Sequence, residues 1–493
     1  MEENRKFRNH FSIVFERLGA GFVAFALFFL YEGVEMLGEI ESLITDLESF
    51  GGEIFSMIMI TLGIIIAFAA IICFQIFRWA KTYISIQEQA IVIEVNTLNR
   101  KKNTIGIKNI SNINLEQNLF EMLMGTCKVK LDTNSMSTAD ATDVKIVLKK
   151  DKAQAFRSQL LGMITVSEKP EEVLPEKISD SQGAGFEEML IQGIFSLKLI
   201  AIPILILSII GIRASITEAL RDGNFMENLL SFISSVFVIA VFGISIIRDI
   251  IKGFIQYYGF QIHRVEERLY ISYGLLKKVS YTIPVDKINA IRLVQSPQAR
   301  LAGKYMAELI NVGMGDEKDS EQSFFLLYDK RSRIIEKIKV LLPEFADELE
   351  CEIHRQSPKV WAVWSLPIAI YAMITVVAVI VMNQLPEIEK LIGIAVIATI
   401  TFVLMLYVTG NYFTRGYYVG EKSLKLVDGN FGKNILLVKY PKIQYVRTRQ
   451  NAIARYFRMQ KGNIYLLAST VNRVHNIPYF PEEEIEIIRE RLL

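Results

Sequence analysis

The chain carries few residues suited to metal binding or covalent chemistry. Its four histidines, His10, His263, His354 and His475, lie far apart, and no His-Glu-x-x-His run puts two imidazoles on one helix face. Cys73, Cys127 and Cys351 form no metal-binding or redox spacing, so they read as small apolar fillers. A Gly-x-Ser-x-Gly elbow and a Gly-x4-Gly-Lys-Ser/Thr phosphate loop are both missing from the sequence. Gly313-Met314-Gly315-Asp316 reads as a hairpin tip. The expectation is therefore a protein that is not an enzyme, with no catalytic residues, no metal and no cofactor.

Basic residues are the remaining chemical signal. Arg100-Lys101-Lys102, Lys149-Lys150-Lys152, Lys277-Lys278, Arg447 with Arg449, and Arg455-Arg458-Lys461 cluster in or near expected loops. Beside an anionic leaflet each Lys or Arg gains about 1 kcal/mol. Candidate headgroup contacts are thus Lys101, Lys102, Lys277, Lys278, Arg447, Arg449 and Arg458; the competing reading is a set of solvated hairpin loops. A net charge of +2 does not suggest a nucleic-acid partner.

A second signal is a repeated motif, Gln-x4-Arg-x2-Gly. It is complete at Gln295, Arg300 and Gly303. Gln117 begins a version with Met122 in place of the Arg and Gly125 kept, and Gln450 one with Arg455 kept and Arg458 in place of the Gly. Gln117, Gln295, Arg300, Gly303, Gln450 and Arg455 are the candidate interaction residues, with carbonyl capping at a turn as the alternative role for the two arginines.

The elements that position these residues begin with apolar blocks. The 493 residues are 51% hydrophobic, with a mean hydropathy of +0.30, which excludes a disordered chain. Charge-free blocks run 54–77, 229–247, 360–384 and 391–414, each long enough for a core of about 30 Å at about 1.5 Å per residue. Shorter blocks at 18–31 and 199–212 are extended by flanking basic side chains that reach the interface. Six spans are expected in three hairpins: about 14–36 with 54–77, 195–216 with 229–249, and 360–382 with 391–410. Loops inside the pairs hold 3 basic and 12 acidic residues, leaving a surplus of 11 positive charges on the other side. Both termini and the large polar segments are therefore expected in the cytoplasm.

Each pair precedes a polar segment of similar pattern. In the second, period-two stretches at Tyr258–Arg264, Arg268–Tyr273 and Lys278–Ile283 read as antiparallel strands. Phe324–Tyr328 is a further strand, and Arg331–Leu342 a closing helix with Ile334, Ile335, Ile338 and Leu341 on one face. Tyr83–Ile86, Ile91–Val95, Val144–Leu148 and the helix Ala153–Leu161 repeat this in the first segment; Tyr417–Val419, Leu424–Val427, the Asp428-Gly429 turn and the helix Glu482–Leu492 repeat it in the third. The expected layout is a hairpin in 1–80, a head in 81–165, a linker in 166–188, a hairpin in 189–252, a head in 253–350, a hairpin in 351–411 and a head in 412–493. Strands closed by one helix fit a small barrel with a plugged end.

Paired spans followed by this pattern, with the Ile-Pro, Lys-Ile and Gln-x4-Arg-x2-Gly elements in order, resemble the bacterial pleckstrin-homology-like domain family, in its three-copy membrane-anchored form. The resemblance implies an α+β membrane protein whose six helices carry three cytoplasmic PH-like barrels, each capped by a C-terminal helix. It implies no reaction. As partners it implies the lipid bilayer and a smaller single-copy PH-like membrane protein, with envelope integrity or resistance to membrane-active compounds as the setting. Sheet edges make homo-oligomers a further expectation. The favoured function is a non-enzymatic scaffold; the alternative is a transporter or export component regulated by its heads, against which stands the lack of a mid-span carboxylate or histidine.

Overall fold

A computed structural model describes residues 6–19, 21, 25, 27–28, 51–87, 89–133, 144–164, 182–195, 197, 201–222, 225–311, 324–384, 386–468 and 472–492. The chain divides into two compact units, Met1–Leu131 with Asp143–Leu174, and Asp132–Thr142 with Pro175–Leu493.

In the first unit, helical residues 12–19 (α1) and α2 (Gly51–Ala80) precede the strands β1 (Thr82–Gln87), β2 (Ala90–Asn96) and β3 (Arg100–Gly106). These pair antiparallel in the order β1-β2-β3. After a single 3-10 turn come β4 (Ile110–Gln117), α3 (Leu119–Met124), β5 (Thr126–Thr133), β6 (Val144–Lys149) and α4 (Lys150–Ile164). Alternation sends Cys127, Val129 and Leu131 of β5 inward, where they meet Ala153, Phe156 and Leu160, which recur on one face of α4. An N-terminal strap completes the head: Phe7 exchanges backbone bonds with Ile84 at 2.9 and 2.8 Å, and the Val147 amide donates to Asn9 Oδ1 at 2.8 Å.

The second unit holds two heads. Strand β7 (Gln182–Gly183), α5 (Phe186–Phe195), α6 (Ala201–Asp222) and α7 (Phe225–Tyr257) lead into β8 (Gln261–Val265), β9 (Arg268–Tyr273) and β10 (Lys278–Pro284). Next are β11 (Ala290–Gln295), α8 (Pro297–Leu301), β12 (Lys304–Ile310), β13 (Phe324–Lys330), α9 (Arg331–Leu341) and α10 (Ala346–Leu349). Strand β14 (His354–Arg355) and the hairpin helices α11 (Val360–Met382) and α12 (Glu387–Thr414) open the third repeat. Its head is β15 (Gly416–Val419), β16 (Ser423–Asp428), β17 (Lys433–Lys439), β18 (Ile443–Arg449), α13 (Ala452–Tyr456), β19 (Met459–Leu466), β20 (Val474–Pro481) and α14 (Glu482–Glu490).

These two heads are not separate. Strand β11 of the second pairs along its length with β17 of the third, from Ala290 opposite Val438 to Gln295 opposite Lys433. One seven-stranded sheet results, in the order β13-β12-β11-β17-β16-β15-β14. Val427, Ile435 and Leu437 of the third head consequently lie in the same apolar cluster as Ile271, Ile291, Phe325 and Ile338 of the second. At about 25 cal/mol per Å² of buried apolar surface, such a shared cluster couples the stability of both heads.

Two expectations change. Strands β18-β19-β20 form a sheet distinct from β15-β16-β17, so the third head is built from two sheets and is not one closed barrel. A small domain buries its apolar faces as well by stacking sheets as by closing one. Among the described residues, four helical stretches are long and apolar enough to cross a membrane: Met59–Ala80, Phe232–Tyr257, Val360–Met382 and Glu389–Thr414. The expected span at 14–36 falls mostly outside the described residues. That at 195–216 meets α6, many of whose side chains are also outside them. The Gly313–Asp316 tip and residues 166–181 of the 166–188 linker lie outside them too. The boundary expected at 252/253 falls inside α7, and α5 packs on β13 of the head that follows it.

Candidate functional site

The Gln motif marks the same corner in all three heads. Each glutamine stands at the end of a strand, Gln117 and Gln295 as its last residue and Gln450 just past it, and turns its side chain across the corner to the carbonyl nine residues on. Gln117 Nε2 donates to Thr126 O at 2.8 Å, Gln295 Nε2 to Lys304 O at 3.1 Å, and Gln450 Nε2 to Met459 O at 3.2 Å. The residue after each glutamine then caps a short helix. Asn118 accepts from the Glu121 amide, Ser296 from Ala299 and Asn451 from Ala454. This is the side-chain N-cap that Ser and Asn favour, and it was readable in the sequence as Gln-Asn, Gln-Ser and Gln-Asn.

The last motif position is a left-handed one, with φ of 64° at Gly125, 65° at Gly303 and 51° at Arg458. Glycine adopts this region without strain; Arg458 adopts it as a non-glycine residue. The motif thus fixes a strand–helix–strand corner.

At the middle position, Arg300 ties two heads together. Its Nη1 donates to Thr414 Oγ1 at 3.0 Å and to Asn430 O at 2.8 Å. It thereby holds the α8 corner against the end of α12 and the β16–β17 tip. Met122 replaces this arginine in the first head, and Arg455 is exposed on α13.

Other buried charge lies in the joined sheet. Glu308 on β12 is 2% exposed and accepts from Arg292 on β11 at 2.7 and 2.5 Å. Burial pushes its carboxyl above the usual range, with Arg292 opposing. Lys425 on β16 is fully buried and donates to the carbonyls of Glu348, Leu349 and Cys351 at 3.1, 2.8 and 2.6 Å. It holds the C-terminal end of α10, where a cation is favoured; burial pushes its pKa down to about 8. Burial and nearby Arg292 bring His475 down to about 4, against a bond to Asn472 O. The Cys127 thiol is pushed up to about 11, mainly by burial. These groups are packed into sheets and helix ends, and among the described residues no cluster of three or more His, Cys, Asp or Glu could hold a metal.

The basic candidates fall on two sheet edges, at a hairpin tip and beside a corner helix. Lys101 and Lys102 are exposed on β3, and Lys102 lies 3.8 Å from Glu94. Arg447 and Arg449 are exposed on β18. Among the described residues, β3 pairs only with β2 and β18 only with β19, so both basic pairs lie on sheet edges, where charge discourages strand addition. Lys277 and Lys278 lie at the β9–β10 tip, and Arg458 just past α13.

That tip and its counterparts adjoin the ends of hairpin helices. Asn96 N donates to Lys81 O at 2.9 Å, Gly274 N to Tyr258 O at 2.8 Å and Leu275 N to Ile255 O at 3.0 Å. At the third head the side chain of Arg415, just past α12, donates to Asp428 Oδ1 at 2.7 Å. The corner helices are also beside hairpin segments. The Phe120 ring is 6.4 Å from Phe15 of α1, Gln298 Nε2 donates to Leu197 O at 2.8 Å, and Ala454 packs with Val360 and Val363 of α11.

Comparison with known proteins agrees with the repeat. The family described as "Bacterial PH domain" matches three times, at residues 36–164, 199–321 and 369–493. The chain is 22% identical over 441 residues to the UPF0699 transmembrane protein YdbT of Bacillus subtilis (strain 168), covering 84% of this chain and 83% of that protein. No solved structure matches it.

Proposed function

The chain belongs to the bacterial PH domain family, and from that premise we propose that it is a non-enzymatic membrane scaffold presenting three PH-like heads at the cytoplasmic face of the inner membrane. It is a membrane protein with several apolar helices and a transmembrane relative. In this reading residues 14–36 and 195–216 add two spans, making three hairpins, and both termini are cytoplasmic, following the basic surplus outside the intra-pair loops.

The observation that carries the reading is the joint between the second and third heads. Six residue pairs between β11 and β17, together with the bonds of Arg300, make one continuous platform at the ends of the hairpin helices. A platform of this kind suits holding a partner. The partner proposed for it, on the family resemblance, is another membrane protein with a PH-like head, smaller than this one. Self-association edge to edge would set the basic strands β3 and β18 against each other; a partner with an acidic edge strand fits them better.

The test is purification of the intact chain from its own membrane in mild detergent after brief cross-linking. A second membrane protein at a fixed stoichiometry is expected. Recovery of the lone chain under conditions that preserve other membrane complexes would defeat the scaffold reading.

A further inference from the structure

We propose that each head dips two apolar prongs into the headgroup region of the bilayer crossed by its own hairpin. The inference rests on the membrane-scaffold reading and adds a lipid-contact surface to it.

One prong is the hairpin tip that follows the second strand of the head. Leu98 in the first head is 97% exposed, and the tips of the other heads present Leu275 with Leu276, and Phe431. The other prong is the corner helix. Six residues after each motif glutamine stands a large side chain turned to solvent: Leu123 at 88%, Leu301 at 93% and Tyr456 at 83% exposed. Exposed apolar residues scattered singly need no explanation. The same positions recurring in three heads are a designed surface.

Its occupant follows from continuity with the spans. The tips are bonded at the ends of α2, α7 and α12, through Asn96 to Lys81 and Gly274 to Tyr258, and through Thr414 Oγ1 to Asn430 O at 3.4 Å. The corner helices touch α1, the segment before α6, and α11. Trp79, Trp361 and Tyr412 lie at those same helix ends. Aromatic rings of this kind collect at the membrane–water boundary.

The prongs are therefore at the depth where a spanning helix leaves the hydrocarbon. Basic residues flank them: Arg100, Lys101 and Lys102 after Leu98, Lys277 and Lys278 after Leu276, and Arg455 and Arg458 around Tyr456. An apolar tip with a cationic flank is the chemistry of an anionic lipid interface. Lys101 and Lys102 serve both as edge protection and as headgroup ligands.

The test uses the full chain in vesicles of phosphatidylethanolamine and anionic phosphatidylglycerol. Cys73→Ala and Cys351→Ser clear the accessible thiols; Cys127 stays, since it is buried and its thiol is pushed up to about 11. A nitroxide is attached in turn at Leu98→Cys, Leu301→Cys and Tyr456→Cys, and at Glu267→Cys in the exposed β8–β9 turn, at the other end of β9 from the tip. The expected result is a shift at the first three sites toward collision with oxygen, with a water-soluble nickel chelate excluded, and the reverse at Glu267. Nickel access at the prongs equal to that at Glu267 would overturn the proposal, and so would shielding from both reagents, which indicates a protein partner. In either case the platform reading survives if the heads still share one side of the vesicle.

Discussion

Replacing Arg292 with Met should loosen the joined sheet in a way that identifies the buried ion pair as the cause. The change leaves Glu308, 2% exposed, without its partner. That carboxylate must then stay buried as an anion or take up a proton. At pH 7, protonating a group with an ordinary value of 4.5 costs about 3 kcal/mol, which falls at the low end of the range for breaking a buried pair. Hydrogen exchange of β11, β12 and β17 amides should accelerate about a hundredfold, since each 1.4 kcal/mol is a factor of ten.

The pH profile carries the diagnosis. A carboxyl whose folded pKa is raised stabilises the fold fully below its unfolded value, and that stability is lost as pH rises. Protection of these amides in Arg292→Met, taken relative to the intrinsic exchange rate at each pH, should therefore rise again toward pH 4.5. The double variant Arg292→Met, Glu308→Met should recover most of the loss, because two apolar side chains can replace a buried pair without penalty. A double variant no more stable than the single one, or a flat pH profile, would refute this reasoning.

Arg300→Ala should cost about 1 kcal/mol at the joint, since its bonds are partly exposed, and should leave vesicle contact unchanged. Exchange of β17 amides checks the first part, and oxygen and nickel accessibility of a nitroxide at Leu301→Cys in the reconstituted full chain the second. Protonating His475, held at about 4, opposes folding. Its contribution is complete above an unfolded value of 6.5 and is lost as pH falls through 4, so acid unfolding of the third head should move to lower pH in His475→Gln. Gly253→Ala should strain the packing of α7 on α5, because a Cβ there would lie 2.7 Å from Gly193 Cα. Overpacking of this kind costs about 1–3 kcal/mol, read as a lower unfolding temperature in detergent.

Much of this architecture was legible because local periodicity fixes it. Arg268–Tyr273 alternates as its burial does, and Ile334, Ile335, Ile338 and Leu341 are buried together on α9 as their spacing requires. The spans at 360–382 and 391–410 needed only length and composition.

What the sequence hid was tertiary. Ile291 and Leu293 alternate as a strand does, but nothing local says that β11 would pair with β17 from another repeat. The motif glutamines were visible; their acceptors, nine residues away across a corner, were not. Arg300 stood at a motif position with carbonyl capping as one of its roles, but nothing local says that the carbonyl belongs to the next head or that a threonine at a helix end joins it. The prongs are not legible locally, because Leu98, Leu301 and Tyr456 have the residue types of a core and only the fold turns them to solvent.

In the proposed arrangement, paired apolar helices hold three similar heads on the inner face of one membrane. Its most direct test is reaction of a membrane-impermeant maleimide with cysteines placed singly on each head, at Asp151, Glu267 and Glu421, in intact and in opened cells. The account predicts labelling at all three only after the cells are opened; labelling of any of them in intact cells would contradict it.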